Sequence, residues 1–220
     1  DIRTRVVLDT AGGLAGKRVL DVGCLEGGFS VELARQGASE VVGVEVRRLS
    51  VRRCDLVRDL LGLTNLRFVC GDVLHELTRA QQPFDVVLAT GILYHFPHPD
   101  VVLRLMKERC SGFMLLCTHV ARADSSSHGC SDDIVEYIGE HGTYHGRRYS
   151  EQSIDEAEED RGDDLWASWS NETSFWPLEE DLLRMIESAG FTSVEKLSPD
   201  AYSEPWQVDQ TNRVMYLCRV

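Results

Sequence analysis

The sequence predicts an α/β protein with a doubly wound, mostly parallel sheet covered by helices on both faces. Three observations predict it. Apolar runs at about 18–23, 40–45, 66–70, 84–90 and 112–118 are rich in Val, Leu or Phe and do not alternate with polar residues, as strands buried on both faces require. Helical patterns separate the runs, and alternating strands and helices imply parallel crossovers. The first run passes into Asp21-Val22-Gly23-Cys24-Leu25-Glu26-Gly27-Gly28, a glycine-bearing turn, and the second ends in Glu45.

The elements follow in chain order. Residues 1–14 form a leading helix. The first strand, 18–23, turns through its glycines into a helix over 28–36. The second strand, 40–45, precedes a long helix over 47–62. There Arg47, Arg48, Arg52, Arg53 and Arg58 recur at helical spacing and read as one solvated face. Strands follow at 66–70 and 84–90, then a helix at 99–109 and a strand at 112–118. Pro177 opens the last helix, with Leu178, Leu182, Leu183, Met185 and Ile186 on its apolar face, and Gly190 ends it. Strands at 193–197 and 213–219 complete seven, the last one antiparallel. The chain of 220 residues reads as a single domain, 1–220, long enough to bury a full core.

The first strand, turn, helix and second strand make a nucleoside-binding unit. Glycines let backbone approach a ligand closely, and a carboxylate at the tip of the second strand can accept hydrogen bonds from both ribose hydroxyls. Loops that cradle pyrophosphate carry G-x-G-x-x-G. Here the glycines are Gly23, Gly27 and Gly28, which points to a ligand without phosphates.

On these residues the chain resembles the class I S-adenosylmethionine-dependent methyltransferases. Asp21 to Gly27 is similar to the family's first motif, acid-x-Gly-x-Gly-x-Gly, with Leu25 at the middle glycine. Glu45 is similar to the ribose-binding acid. Cys70-Gly71-Asp72-Val73 is similar to the adenine-binding motif, and Phe84 through Thr90, Gly91 and His95 to the fourth-strand motif. The resemblance covers about residues 18–118. It implies a Rossmann-like sheet and S-adenosyl-L-methionine as cofactor, with S-adenosyl-L-homocysteine (SAH) as product. It also implies cofactor binding by Asp21, Gly23, Cys24, Gly27, Gly28, Glu45, Val46, Asp72, Val73, Thr90 and Gly91. A weaker resemblance joins Leu93-Tyr94-His95, Pro97, Pro99 and Ser174-Phe175-Trp176-Pro177 to wobble-uridine tRNA modification enzymes and to relatives acting on sugars and natural products.

Residues 119–176 lie outside those motifs. The segment shows no strong periodicity and is rich in His, Tyr, Trp and Gly. It leaves the fifth strand on the edge where open α/β sheets bind ligands, so it reads as a lid over an acceptor pocket. Tyr94, His145, Tyr149, Trp166, Trp169 and Trp176 are the candidate acceptor contacts. The alternative is that these aromatics glue an irregular loop to the body. An acidic run from Glu151 to Asp164 in this segment reads as a solvent-facing loop.

Methyl transfer from a sulfonium asks the enzyme mainly for alignment. A hydroxyl acceptor also needs a base. His95, just past the fourth strand, and His119, ending the fifth, are the candidate catalytic residues. His95 reads equally as a hydrogen-bonding residue at the head of the Pro97–Pro99 turn, and His119 equally as structural. His141 and His145 are four apart, with His128, Asp132 and Asp133 near, but Gly142 and Gly146 flank them and the spacing matches no familiar zinc site, so no metal is expected.

A net charge of −13 argues against nucleic acid as partner, since phosphate binding needs a basic stripe. No apolar run approaches the roughly 20 residues that span a bilayer. Seven scattered cysteines without C-x-x-C pairs read as reduced thiols of a cytoplasmic protein. The expected partner is a small-molecule acceptor, and a homodimer is left open. The expected function is methyl transfer to such an acceptor, most simply O-methylation in natural-product or sugar metabolism. The alternatives are a tRNA methyl- or carboxymethyltransferase and a catalytically silent cofactor-binding subunit.

Overall fold

The computed structural model describes residues 1–79, 82–124, 129–151, 168–198 and 212–220. Ten strands and six α-helices are described. In chain order they are α1 (Ile2–Ala11), β1 (Arg18–Val22), α2 (Gly28–Arg35), β2 (Glu40–Glu45), α3 (Arg48–Leu61), β3 (Leu66–Cys70), α4 (Val73–Arg79), β4 (Phe84–Thr90), α5 (Pro99–Glu108) and β5 (Cys110–His119). Then come β6 (Val135–Gly139), β7 (Gly142–Ser150), β8 (Thr173–Pro177), α6 (Glu179–Ser188), β9 (Ser193–Lys196) and β10 (Arg213–Arg219). A short 3-10 turn, Leu93–His95, follows β4.

Seven strands form one Rossmann-like sheet in the order β3-β2-β1-β4-β5-β10-β9. Only β10 opposes its neighbours; it runs antiparallel to both β5 and β9. The expected fold class and its reversed last strand are both found. Strands alternate side chains between two cores. Leu20, Val87, Met114 and Leu116 join the core under α4, α5 and α6, while Val19, Val86, Leu88 and Leu115 join the core under α1 and α2. Both faces are therefore apolar, and each fully buried Val or Leu contributes about 1.5–3 kcal/mol. This is why the strands read as unbroken apolar runs. Among the described residues no helix is long and apolar enough to cross a membrane.

Three elements depart from expectation. Helix α4 was not expected: its seven residues are short, and Asp72 starts it by accepting the His75 N–H at 3.1 Å. The last helix begins at Glu179, after Pro177 has ended a strand. The segment 119–176, which shows no strong periodicity in sequence, contains the three-stranded antiparallel sheet β6-β7-β8. Its strands alternate only weakly, with glycines and charged residues between the buried positions, so the period-2 signal is diluted.

Two buried carboxylates fasten this small sheet to the body. Asp100 on α5 accepts the Tyr137 hydroxyl and, at 2.8 Å, the Glu140 N–H. Asp181 on α6 accepts the His145 N–H at 2.9 Å. Tyr137 also stacks on Phe175, ring centroids 4.9 Å apart. A Cβ at Gly146 would stand 2.2 Å from the Trp176 carbonyl, so only glycine lets β7 and β8 pair there.

Candidate active site

The strand order reverses between β1 and β4, and a crevice opens at the carboxyl end of such a switch point. A cavity of about 650 Å³ lies there. Its walls come from the loop after β1, the tip of β2, the start of α4, the end of β4 with the 3-10 turn, the first residues of α1, and Ser168–Asn171.

The loop after β1 is bent by left-handed residues, Gly23 (φ 68) and Gly27 (φ 72), with Leu25 (φ 50) between them. A left-handed leucine costs about 1–2 kcal/mol. Hydrogen bonds hold it there: its N–H donates to Glu45 Oε2 at 3.2 Å, and its carbonyl accepts from Cys54 Sγ at 3.4 Å. A Cβ on Gly23 would come within 2.7 Å of Ile92, and one on Gly27 within 2.8 Å of Phe68. Gly28 differs. It lines the cavity, and a Cβ there would meet nothing within 4 Å.

Glu45 ends β2 as a buried carboxylate. Its Oε1 accepts the Arg47 N–H at 2.8 Å and faces the Arg47 guanidinium at 3.4 Å, while Oε2 accepts from Leu25. Backbone donors on two sides thus fix the carboxylate at the cavity wall with acceptor capacity to spare. Arg47, expected on a solvated helix face, is instead buried at the N-cap position of α3, because this carboxylate draws it inward.

Val46, Asp72, Val73, Cys24, Thr90 and Gly91 line the same cavity. Asp21 and Gly27 stand behind the lining. Asp21 is fully buried and accepts the Ser30 hydroxyl at 2.6 Å. Burial pushes its carboxyl up to about 6, against the pull of that hydrogen bond. The folded state therefore holds this proton more tightly than the unfolded chain does. The resulting stability is complete below about pH 4 and is lost as pH rises through 6, about 3 kcal/mol in all. Asp21→Asn keeps the serine contact without the buried charge. It is expected to melt higher than the parent at pH 7.5 and to flatten the stability profile between pH 4 and 6. Denaturant titrations across that range check it, and an unchanged slope would show that another group sets it.

His95, in the 3-10 turn after β4, lines the same cavity. Its Nδ1 lies 3.0 Å and 3.1 Å from the two carboxylate oxygens of Glu151, whose side chain is fully buried and also accepts the Ser168 N–H at 2.9 Å. The His95 carbonyl accepts from Asn171 Nδ2. Glu151 was expected on a solvent-facing loop. As the first acid of its run it belongs to the site, a placement that composition hides; the rest of the run, from 152 on, lies outside the described residues.

Tyr94 packs between the two histidines, 4.3 Å from the His95 ring and 4.5 Å from that of His119. Burial raises the pKa of its phenol, so it stays protonated. His119 is set back from the cavity lining. It stacks on Trp176 at 4.8 Å, and its Nε2 faces Arg213 Nη2 at 3.2 Å. A guanidinium can only donate, so His119 Nε2 accepts and is unprotonated.

The candidate acceptor contacts separate. Tyr94 and Trp169 line the cavity. Trp176 and Tyr149 form a stack behind Tyr94, ring centroids 4.5 Å apart, with Trp176 Nε1 donating to the Tyr94 carbonyl at 3.0 Å. His145 lies on β7 beside Asp181 of α6, away from the cavity. Trp166 lies outside the described residues, as does His128. Among the described residues no three His, Cys, Asp or Glu side chains gather as metal ligands. Sequence reasoning missed Arg3, Phe29, Glu151 and Arg213 on or beside this cavity. None has a local motif; only tertiary folding brings them to the crevice.

A family model described as a methyltransferase domain matches residues 14–137. The chain is 34% identical over 98 residues to a ubiquinone biosynthesis O-methyltransferase of Neisseria meningitidis, covering 44% of this chain and 41% of that protein. It is 31% identical over 123 residues to a tRNA U34 carboxymethyltransferase of Photobacterium profundum, covering 55% of this chain and 38% of that one. The chain thus spans about two fifths of the length of these relatives. The N-terminal domain of EvdMO1, crystallised in the presence of SAH and D-fucose, shares the fold with a TM-score of 0.73 at 24% identity, covering all of this chain and 82% of that one.

Proposed function

This chain belongs to the methyltransferase-domain family, and we propose that it transfers a methyl group from S-adenosylmethionine to a hydroxyl of a small molecule, in sugar or other natural-product chemistry. The observation that carries the hydroxyl is the His95–Glu151 pair at the cavity wall. Carboxylate and amine acceptors need little or no base; a hydroxyl does.

The cavity fits the cofactor. Glu45 offers a fixed carboxylate for two ribose hydroxyls, Asp72 and Val73 flank the place for an adenine, and Gly28 leaves space for a ligand instead of a side chain. Bound there, S-adenosylmethionine supplies an electrophilic methyl: the acceptor oxygen bonds to its carbon as the sulfur–carbon bond breaks, and the electron pair stays on sulfur. The protein handles the remaining proton. Glu151 accepts a hydrogen bond from Nδ1–H, which fixes the tautomer and leaves Nε2 of His95 as the basic nitrogen. The acceptor proton passes to that Nε2. His119 has its Nε2 occupied by Arg213, so the base role falls to His95. Tyr94 and Phe96 supply an apolar wall that excludes water, and the small sheet β6-β7-β8 holds both through hydrogen bonds from Trp176 and Phe175 to their carbonyls.

The ubiquinone relative and the neighbour crystallised with D-fucose both support a hydroxyl-bearing acceptor. The tRNA relative matches slightly more of the chain, but a net charge of −13 opposes a phosphate-rich partner. An open cavity with a part-buried base–carboxylate pair argues against a silent subunit. Incubation with methyl-labelled S-adenosylmethionine and a panel of small phenols, alcohols and sugars is expected to label a hydroxyl product. Label in bulk RNA, or in amines and carboxylates alone, would contradict the reading.

Gly28→Leu gives a further check on the cofactor position. The first carbon of the new side chain would meet nothing within 4 Å, so the fold should hold. SAH affinity should fall at least tenfold, about 1.4 kcal/mol. Retained melting temperature with unchanged SAH affinity would place the cofactor elsewhere.

A further inference from the structure

Three guanidiniums line the cavity, those of Arg3, Arg47 and Arg213. Two are matched within the protein: Arg3 by the Asp1 carboxylate at 2.8 Å, Arg47 by Glu45 at 3.4 Å. Arg213 makes no ion pair among the described residues. Among the described residues the partner of its side chain is the neutral His119 Nε2, at 3.2 Å. Its Nε is enclosed by protein and makes no hydrogen bond among the described residues. Other acids on the cavity wall are engaged: Glu26 with Arg53, Glu32 with Arg35, Asp72 as the cap of α4.

A partly buried cation is costly unless a countercharge meets it. Here the open side of the guanidinium is a ligand cavity, and its planar fork suits a carboxylate or phosphate. Position adds to this. Arg213 pairs with His119 across β10 and β5. His119 touches one side of Tyr94, and His95 touches that same ring. Cation and base therefore flank one tyrosine. We infer that Arg213 binds an anionic group of the acceptor, a carboxylate or phosphate, so that the preferred acceptors are small hydroxy acids rather than neutral alcohols. This rests on the methyl-transfer reading of the same cavity.

The same chemistry could come from the methionine carboxylate of the cofactor, so the test separates the two. Wild type, Arg213→Gln and Arg213→Lys are titrated with SAH and with 5′-methylthioadenosine, which lacks that carboxylate. Each SAH-saturated protein is then titrated with 3,4-dihydroxybenzoate and with its neutral amide. The expected result is that wild type prefers the carboxylate about 10- to 100-fold, the value of a charge-assisted contact. Arg213→Gln loses the preference, Arg213→Lys keeps part of it, and both nucleosides bind all three proteins alike. A wild type that does not prefer the carboxylate, or an Arg213→Gln that keeps the preference, overturns the inference. So does an Arg213→Gln that weakens SAH tenfold while sparing 5′-methylthioadenosine, because the anion is then the cofactor's own. Wild type that fails to bind SAH at all would instead sink the methyl-transfer reading beneath it.

Discussion

His95→Ala is expected to slow single-turnover methyl transfer to a hydroxyl acceptor by about 10²–10⁴-fold, the usual cost of losing a general base. SAH affinity should not move, because His95 follows β4 while Glu45 ends β2, on opposite sides of β1. Glu151 acts through His95 and is a positioning residue. Glu151→Gln should lower the maximal rate with little change in the acceptor Michaelis constant, since the amide can still fill the space but no longer supports imidazolium. Glu151→Asp should recover part of the rate. A parent rate in both His95→Ala and Glu151→Gln would show that no histidine base operates, and the acceptor would then be a carboxylate or an amine.

Glu45→Ala is expected to weaken SAH by about 2–4 kcal/mol, roughly a 30- to 1000-fold rise in Kd. Three losses add up. The ribose hydroxyls lose a carboxylate, the buried Arg47 loses its countercharge, and the left-handed Leu25 loses the acceptor for its N–H. Glu45→Gln separates them, since an amide oxygen can still accept from the ribose or from Leu25 but brings no charge. It should fall between wild type and alanine. Calorimetric titration reads both variants, with the melting temperature as the control for the fold. Unchanged Kd in Glu45→Ala would make Glu45 a structural acid that braces the loop and nothing more.

Much of this was legible in the sequence because it is local. The unalternating strands of the large sheet, the Gly23–Gly28 turn and the strand-end Glu45 are each readable from a few neighbours, and they placed nine of the expected cofactor residues on one cavity. What was not legible is tertiary. Arg47 reads as one of five periodic arginines until Glu45 is seen to pull it in. Glu151 reads as the first of many surface acids until His95 stands 3.0 Å away. Arg213 has no motif at all and reaches the cavity because β10 runs antiparallel against the end of β5. The small sheet escaped detection because Gly139, Gly142 and Gly146 interrupt its alternation and Ile138 faces outward.

Asp21 shows how a motif residue can work from behind the site. It does not line the cavity, yet it is held to Ser30 beneath the loop that does, and it braces α2 against β1. Its raised pKa is a cost of that position, carried at neutral pH.

The most direct measurement is a calorimetric titration of the wild-type chain with S-adenosylmethionine, SAH and NAD. Saturable heat is expected with the first two at one molecule per chain and none with NAD, because the glycine turn is not built for a pyrophosphate and Glu45 is placed for a ribose. Heat with NAD and none with S-adenosylmethionine or SAH would contradict it.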